Sequence, residues 1–435
     1  MDKIISLAKR RGFIYTGSEI YGGLQNAWDF GPLGVEMKNN IKTEWWNYFV
    51  RRREDVVGVD TALIMNNKVW ESSGHLANFS DPLSECKKCH RRFRVDHLEL
   101  NVKCPDCNGD LSASRQFNMM LKTYLGVTEE KASEVYFRPE TAQGMFVNFQ
   151  NIIDSLRMKL PFGIAQIGKA FRNEITPGNY IFRTREFEQM EIEYFIPVPK
   201  KDSDWQKHFE FWRESMQKWI AYIGIKSDEI YELDVPQNEL AHYSKRTIDF
   251  EYYFPFGRKE LYGLAYRTDF DLKNHGLKYR DNEIGEEYYP HVIEPTFGVE
   301  RTLLAAMCSA YTEENAPTSE ENGTEKRVVM KFPKWLAPIK IAVLPLSKKD
   351  ELINISQKLA NDLRQDFVVV YDETQSIGKR YRRQDEIGTP YCLTVDFDSL
   401  TDGKITVRDR DTMKQERINI SESVKYLKEK MAESI

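Results

Sequence analysis

A chain of 435 residues, 41% hydrophobic and 30% charged, has room for two or three domains with substantial cores and the ordinary composition of a soluble globular protein. No apolar run reaches the length of a bilayer span, which excludes a helical membrane protein. A formal net charge of -5 argues against a polyanionic partner unless local clusters supply the cations.

The opening, residues 1–11, is basic and faintly amphipathic. It is short and carries Asp2, so it reads as a first helix and not a transit peptide, with a cytoplasmic location as the expectation. After Gly31 and Pro32, Met37, Ile41, Trp45 and Phe49 recur at four-residue steps, the apolar stripe of a helix whose basic end, Arg51 to Arg53, suits the helix dipole. Cys86 and Cys89, then Cys104 and Cys107, form two Cys-x-x-Cys pairs fourteen residues apart. That spacing closes one tetrahedral zinc site, and four sulfur ligands make it structural. Two disulfides are the alternative, disfavoured without a signal peptide, and His90 or His97 is a less favoured replacement ligand. Cys308 and Cys392 stand alone in apolar surroundings and read as core.

Residues 162–171 and 186–195 are β-prone and flank turn chemistry at 176–179, which predicts a hairpin with a mobile connection. Residues 197–256 look mainly helical, with Trp205, Phe209, Trp212, Met216 and Trp219 at three- and four-residue spacing. Gly298 to Arg301 runs into an apolar helix, and the acidic, polar stretch 312–327 reads as a flexible loop. From residue 337 strands at 339–344, 367–371 and 391–397 alternate with helices, a small α/β domain.

Strand alternation sorts the predicted hairpin. Met190, Ile192 and Tyr194 share one face, while Phe187, Gln189, Glu191 and Glu193 share the other. Guanidinium forks suit phosphate oxygens, so Arg172 and Arg183 on opposite arms would clamp a bent triphosphate, with Phe187 stacked on the base and Glu174 accepting from an exocyclic amine. The plainer alternative is a solvated, ion-paired strand face.

The joint pattern, Phe-Arg-x-Glu at 171–174 and then Arg183, Phe187 and Glu191, resembles motif 2 of class II aminoacyl-tRNA synthetases; Gly298-Val299-Glu300-Arg301 resembles motif 3. Residues 137–149, 263–272 and 294–298 look like the glycyl branch, and the chain is similar to single-polypeptide glycyl-tRNA synthetases from Gly12 to its C-terminus. The resemblance implies an α+β catalytic domain on an antiparallel sheet over 1–336, with a zinc-knuckle insertion at 81–112, and an anticodon-binding α/β domain over 337–435.

It also implies site residues. ATP would be held by Arg172, Asn173, Glu174, Phe182, Arg183, Thr184, Arg185, Glu186, Phe187, Glu260, Leu261, Gly298, Val299, Glu300 and Arg301, with Arg172 and Arg301 as the catalytic cations and magnesium bridging the phosphates near Glu260. Glycine would be held by Arg94, Glu140, Phe187, Glu188, Gln189, Met190, Glu191, Glu294, Pro295, Thr296, Phe297 and Gly298. Glycine offers only its ammonium and carboxylate, so acids must converge, and Glu140, Glu191 and Glu294 would surround the ammonium. Serine is commoner in relatives at Thr296; the hydroxyl survives here and the extra methyl tightens the pocket.

The implied reaction joins the glycine carboxylate to the α-phosphorus of ATP and then passes the glycyl group to the 3' end of tRNA(Gly), with no protein nucleophile. Lys379, Arg380, Arg382 and Arg383 are the candidate RNA-backbone contacts, a solvated ion-paired helix being the alternative. A homodimer is implied through the stripe at 37–49, which corresponds to the motif 1 helix; a helix buried within its own chain is the other reading. Two rival functions are a non-catalytic synthetase-like accessory protein and a sister synthetase for proline, threonine or histidine.

Overall fold

The computed structural model describes residues 1–95, 98, 103–130, 133–175, 178–283, 285–317 and 323–432. The helix α1 (Asp2–Arg11) ends at Gly12, whose left-handed φ of 80 lets its N–H turn back onto the last helical carbonyls. Next comes α2 (Pro32–Trp46), with proline at its first position, where no intrahelical donor is needed.

A seven-stranded sheet forms the centre: β1 (Val56–Gly58), β2 (Phe162–Phe171), β3 (Glu186–Ile196), β4 (Ile230–Asp234), β5 (Arg246–Phe254), β6 (Gly257–Thr268) and β7 (His291–Gly298). Its spatial order is β4-β5-β6-β7-β3-β2-β1, antiparallel throughout except for the β1/β2 edge. Alternation gives the sheet two unlike faces. One is apolar: Met190, Ile192, Phe250, Leu264 and Phe297 pack under α2, α3 (Asp202–Tyr222) and α4 (Val299–Ala310). The opposite face is apolar only at one end, where Phe162, Ile164 and Phe195 meet Phe146 and Phe149. Its remaining length carries Phe187, Gln189, Glu191 and Glu193 of β3, and the site is built on it.

Three expectations need correction or refinement. Residues 197–256 are not mainly helical: α3 accounts for the tryptophan-rich part, but β4 and β5 follow and complete the central sheet. The reason is a period of two in Ile248, Phe250, Tyr252 and Phe254, all buried, which outweighs the helix-like text before it. The stretch 312–327 is not a loop. It forms an antiparallel hairpin of β8 (Tyr311–Pro317) and β9 (Thr324–Met330), leaving only its tip outside the described residues. Buried Arg327 anchors the hairpin, pairing with Glu314 at 2.8 Å and with Asp385 at 3.2 Å. The stripe of Met37, Ile41, Trp45 and Phe49 is buried within its own chain, with Trp45 and Phe49 against Phe297.

The C-terminal part is the expected α/β unit. Its sheet runs β11-β10-β12-β13-β14, from β10 (Ile341–Pro345), β11 (Val369–Tyr371), β12 (Tyr391–Val395), β13 (Lys404–Asp409) and β14 (Gln415–Asn419). The first three strands pair in parallel, and the β13/β14 hairpin, absent from the sequence reading, closes the sheet antiparallel. Helices α5 (Asp350–Leu363), α6 (Ile377–Ile387) and α7 (Ser423–Ala432) complete it.

Candidate active site

At the open end of the polar face, a cavity of about 140 Å³ is lined by Arg172 and Glu174 after β2, Phe182, Arg183 and Thr184 before β3, Phe187 and Gln189 on β3, Glu260 and Leu261 on β6, and Gly298, Glu300 and Arg301 where β7 becomes α4. Three guanidinium groups thus converge from two hairpin arms and one helix N-terminus. Arg172 is fixed by its Nε, which donates to the Pro139 carbonyl at 3.0 Å, and its guanidinium lies 5.3 Å from the Phe187 ring centre. Arg301 donates to the Glu260 carbonyl at 3.1 Å and to its carboxylate at 3.0 Å, while lying 4.5 Å from the centre of the Phe182 ring. Arg183 reaches to 2.9 Å from the Glu174 carboxylate. Such an array suits an anion with several oxygens beside a flat ring.

A second cavity of about 310 Å³ shares Arg172, Gln189, Glu260 and Thr296 with the first and is its opposite in charge, lined by Glu140, Glu191 and Glu294 from three segments. The Glu191 carboxylate accepts from Thr141 at 2.5 Å and from Thr296 at 3.0 Å. Glu140 accepts from Gln143 at 3.1 Å and faces His75 Nε2 at 3.4 Å. Glu294 accepts from Arg267 at 2.8 Å, and Arg267 grips Asp271 with two further bonds of 2.7 and 2.9 Å. Burial works against ionisation of Glu140, yet His75, Arg267 and Gln143 together hold its carboxyl well below the usual range. Burial pushes Glu294 up to about 8 against the pull of Arg267, and the Glu191 and Glu140 charges add to the rise. Burial and then the Glu140 charge also raise Glu191. Carboxylates this crowded favour a ligand that brings a positive charge.

Alternation separates residues that adjacency in sequence had grouped. Glu188 and Met190 do not face the acidic cavity. Glu188 pairs with Lys38 at 2.5 Å on the other side of β3, and Met190 is in the core. Pro295 lines neither cavity, whereas Phe297 borders the arginine-lined one, its ring centre 4.7 Å from that of Tyr262. Val299, the first residue of α4, is buried in the core, Asn173 lines a different cavity, and Arg185 and Glu186 open onto the far side of the hairpin beside Lys38. Arg94 lines neither cavity and sits 2.7 Å from Asp81 on the small sheet that carries the cysteines. The sequence reading missed Arg267, Asp271, Thr141, His75, Tyr243 and Asp249, all within or behind the acidic cavity. Arg267 left one trace, a cation inside an apolar strand.

Residues 124–310 match the tRNA synthetase class II core domain (G, H, P, S and T), and residues 340–430 match an anticodon binding domain. The chain is 51% identical to a glycine–tRNA ligase of Caldanaerobacter subterraneus subsp. tengcongensis, across 99% of this chain and 98% of the relative. It is 51% identical to that of Geobacillus kaustophilus and 48% identical to that of Thermobifida fusca, with 99% of this chain covered in each case and 99% and 98% of the relatives. The chain belongs to the glycine–tRNA ligase family.

Two features beyond the cavities belong to this glycine–tRNA ligase family member. The Cys86, Cys89, Cys104 and Cys107 sulfurs all lie within 4.8 Å of one another. The Cys86 to Cys107 and Cys89 to Cys104 separations are 3.5 and 3.6 Å, far beyond a disulfide bond, so the disulfide alternative fails. Zinc–sulfur bonds of about 2.3 Å in a tetrahedron require sulfurs about 3.8 Å apart, so the four residues fit the ion. Backbone N–H groups of Lys88 and Cys89, each 3.4 Å from Cys86 Sγ, would further support a thiolate. His90 is exposed and turned toward Glu85; His97 lies outside the described residues.

On α6 the basic cluster divides. Arg380 is corrected: it is buried, and donates to the carbonyls of Pro345 at 2.6 Å and Asp372 at 3.0 Å, so it ties helix to sheet and cannot reach RNA. The cause is helical geometry, which turns Arg380 inward while Lys379 is exposed and Arg382 and Arg383 are part-exposed, paired with Glu325 and Asp372. Among the described residues no helix is long and apolar enough to cross a membrane.

Proposed function

We propose that the protein activates glycine with ATP to form glycyl adenylate and transfers the glycyl group to the 3' end of tRNA(Gly). The observation that carries this reading is the pair of joined cavities of opposite charge on one sheet face, meeting at Arg172, Gln189 and Thr296.

ATP would lie along the arginine-lined cavity, its base beside Phe187 and its phosphates between Arg172, Arg183 and Arg301. The glycine ammonium would sit among Glu140, Glu191 and Glu294, which points its carboxylate toward Arg172. Attack on the α-phosphorus then needs alignment and neutralisation of the charge that grows on the phosphate, supplied by Arg172 and Arg301, with no protein nucleophile. Magnesium bound with ATP supplies further charge neutralisation; the Glu260 carboxylate, part-exposed at the cavity, is the side chain suited to face it. The hydrogen bond from Thr296 to Glu191 fixes the threonine rotamer, making its methyl group a stiff wall against larger amino acids. Zinc would be held by the four cysteines as a structural ion.

Residues 1–336 are proposed as the catalytic unit and 337–435 as the tRNA anticodon-binding unit, with Lys379, Arg382 and Arg383 as the outward cations. A homodimer rests on family resemblance and on one surface feature, the bare apolar tip of Ile20, Tyr21 and Leu24 ahead of α2. Sedimentation velocity checks it.

Pyrophosphate exchange into ATP, run with each amino acid separately, tests the function. Glycine-dependent exchange is expected. No exchange with any amino acid supports the accessory protein, and exchange with proline, threonine or histidine supports a sister synthetase.

A further inference from the structure

Behind the acidic cavity lies a fourth carboxyl group with no part in the scheme above. Glu193 sits two residues beyond Glu191 on the same face of β3, and it is completely buried. Neither of its oxygens has a hydrogen-bond partner among the described residues. Carboxyl oxygens of Glu191, Glu193 and Glu294 nevertheless all lie within 4.8 Å of one another. An ionised carboxylate here would be unsolvated, without a donor, and pressed against two others. A carboxylic acid resolves the conflict, because it carries no charge to desolvate and can donate to the carboxylate oxygens beside it.

Both Glu191 oxygens already accept hydroxyl bonds, and one oxygen of Glu294 accepts from Arg267. The charged groups around Glu193 are Glu191 on its own strand, Glu294 on β7, Arg267 on β6 and Asp271 in the short helix that follows β6. Arg267 is the one cation of that set, and its bonds go to Asp271 and Glu294. Burial pushes the Glu193 carboxyl well above its ordinary range, and the Glu294 charge adds to the rise.

We infer that Glu193 is a positioning residue that stays protonated at neutral pH and donates its carboxyl hydrogen to the Glu294 and Glu191 pair, fixing the orientation of the carboxylates that receive the substrate ammonium. This rests on reading the acidic cavity as the amino-acid pocket. In that role Glu193 sets glycine affinity from behind and touches no substrate atom. A buried neutral acid acting as a donor is an established physical device.

Isotope-edited infrared spectroscopy of the full chain at neutral pH, beside exchange kinetics, tests it. A protonated-carboxyl C=O band that disappears in Glu193→Gln is expected. Glu193→Gln, a neutral donor of the same shape, is expected to keep the KM for glycine within about twofold, whereas Glu193→Leu, apolar and donor-free, raises it about tenfold with the KM for ATP unchanged. No such band in the wild-type protein overturns the proposal, as does a tenfold rise in the KM for glycine in Glu193→Gln. The infrared result stands whether or not Glu193→Leu folds. If the wild-type protein shows the band but no glycine-dependent exchange, the functional reading fails and the protonation claim survives.

Discussion

Replacing Arg267 by methionine probes the electrostatics of the acidic pocket most directly. Arg267 is 1% exposed and makes three charged hydrogen bonds of 2.7 to 2.9 Å to Asp271 and Glu294, which are themselves 1% and 6% exposed. Methionine would preserve much of the packing beneath Phe146 and Tyr243, whose ring centres lie 5.4 and 3.8 Å from the guanidinium carbon. The loss is then mainly electrostatic, and removing one partner of a buried pair costs about 3 to 5 kcal/mol. Two effects reduce it. Asp271 keeps the amide of Gln143 at 3.0 Å, and Glu294, already pushed up to about 8 beside Arg267, takes up a proton more readily once the guanidinium is gone. The expected destabilisation is therefore near the lower limit, about 3 kcal/mol at neutral pH.

Urea unfolding followed by tryptophan fluorescence measures it, because Trp45, Trp205, Trp212 and Trp219 all lie in the core against this sheet. Adding Glu294→Gln should restore at least about 1 kcal/mol, since a neutral amide has no need of the lost cation. A loss below about 1 kcal/mol for Arg267→Met, or no recovery in the double variant, would refute the claim that Arg267 offsets the charge of this pocket.

Arg172→Ala is expected to lower glycine-dependent exchange by a factor on the order of 100 to 1000 while leaving the urea midpoint nearly unchanged; near-normal exchange removes this arginine from the mechanism. For Glu294 the sign of the pH effect follows from its raised value. The folded state holds a proton that the unfolded chain releases, so this contribution to stability is present at low pH and is lost as pH rises toward 8. An ammonium ligand favours the ionised form, so the KM for glycine should fall as pH rises to about 8, and a flat profile contradicts the assignment. Elemental analysis of freshly purified protein is expected to give one zinc per chain, lost in Cys89→Ser with Cys104→Ser; zinc-free wild-type protein counts against the knuckle.

Much of the chemistry was legible along the chain because it rests on local order. The run from Phe171 to Glu191 places Arg172, Arg183, Phe187 and Glu191 on one hairpin, and strand alternation alone predicts that Phe187, Gln189 and Glu191 share a face opposite Met190 and Ile192. The cysteine pairs were equally local, since two tight turns determine four sulfur positions.

Only the tertiary structure decided what depends on neighbours distant in sequence. Glu188 was grouped with the site by adjacency, and Lys38, 150 positions earlier, shows that it faces away. Arg380 read as a surface cation until the carbonyls of Pro345 and Asp372 claimed it. Residues 246–254 joined the central sheet because β6 offered an unpaired edge, a long-range pairing that helix-like text upstream could not announce. Sequence periodicity determines which side chains travel together on one surface of an element. Which surface meets solvent, core or substrate is set by the elements that pack against it, and for this polar sheet face those arrive from residues 75, 140, 267 and 294.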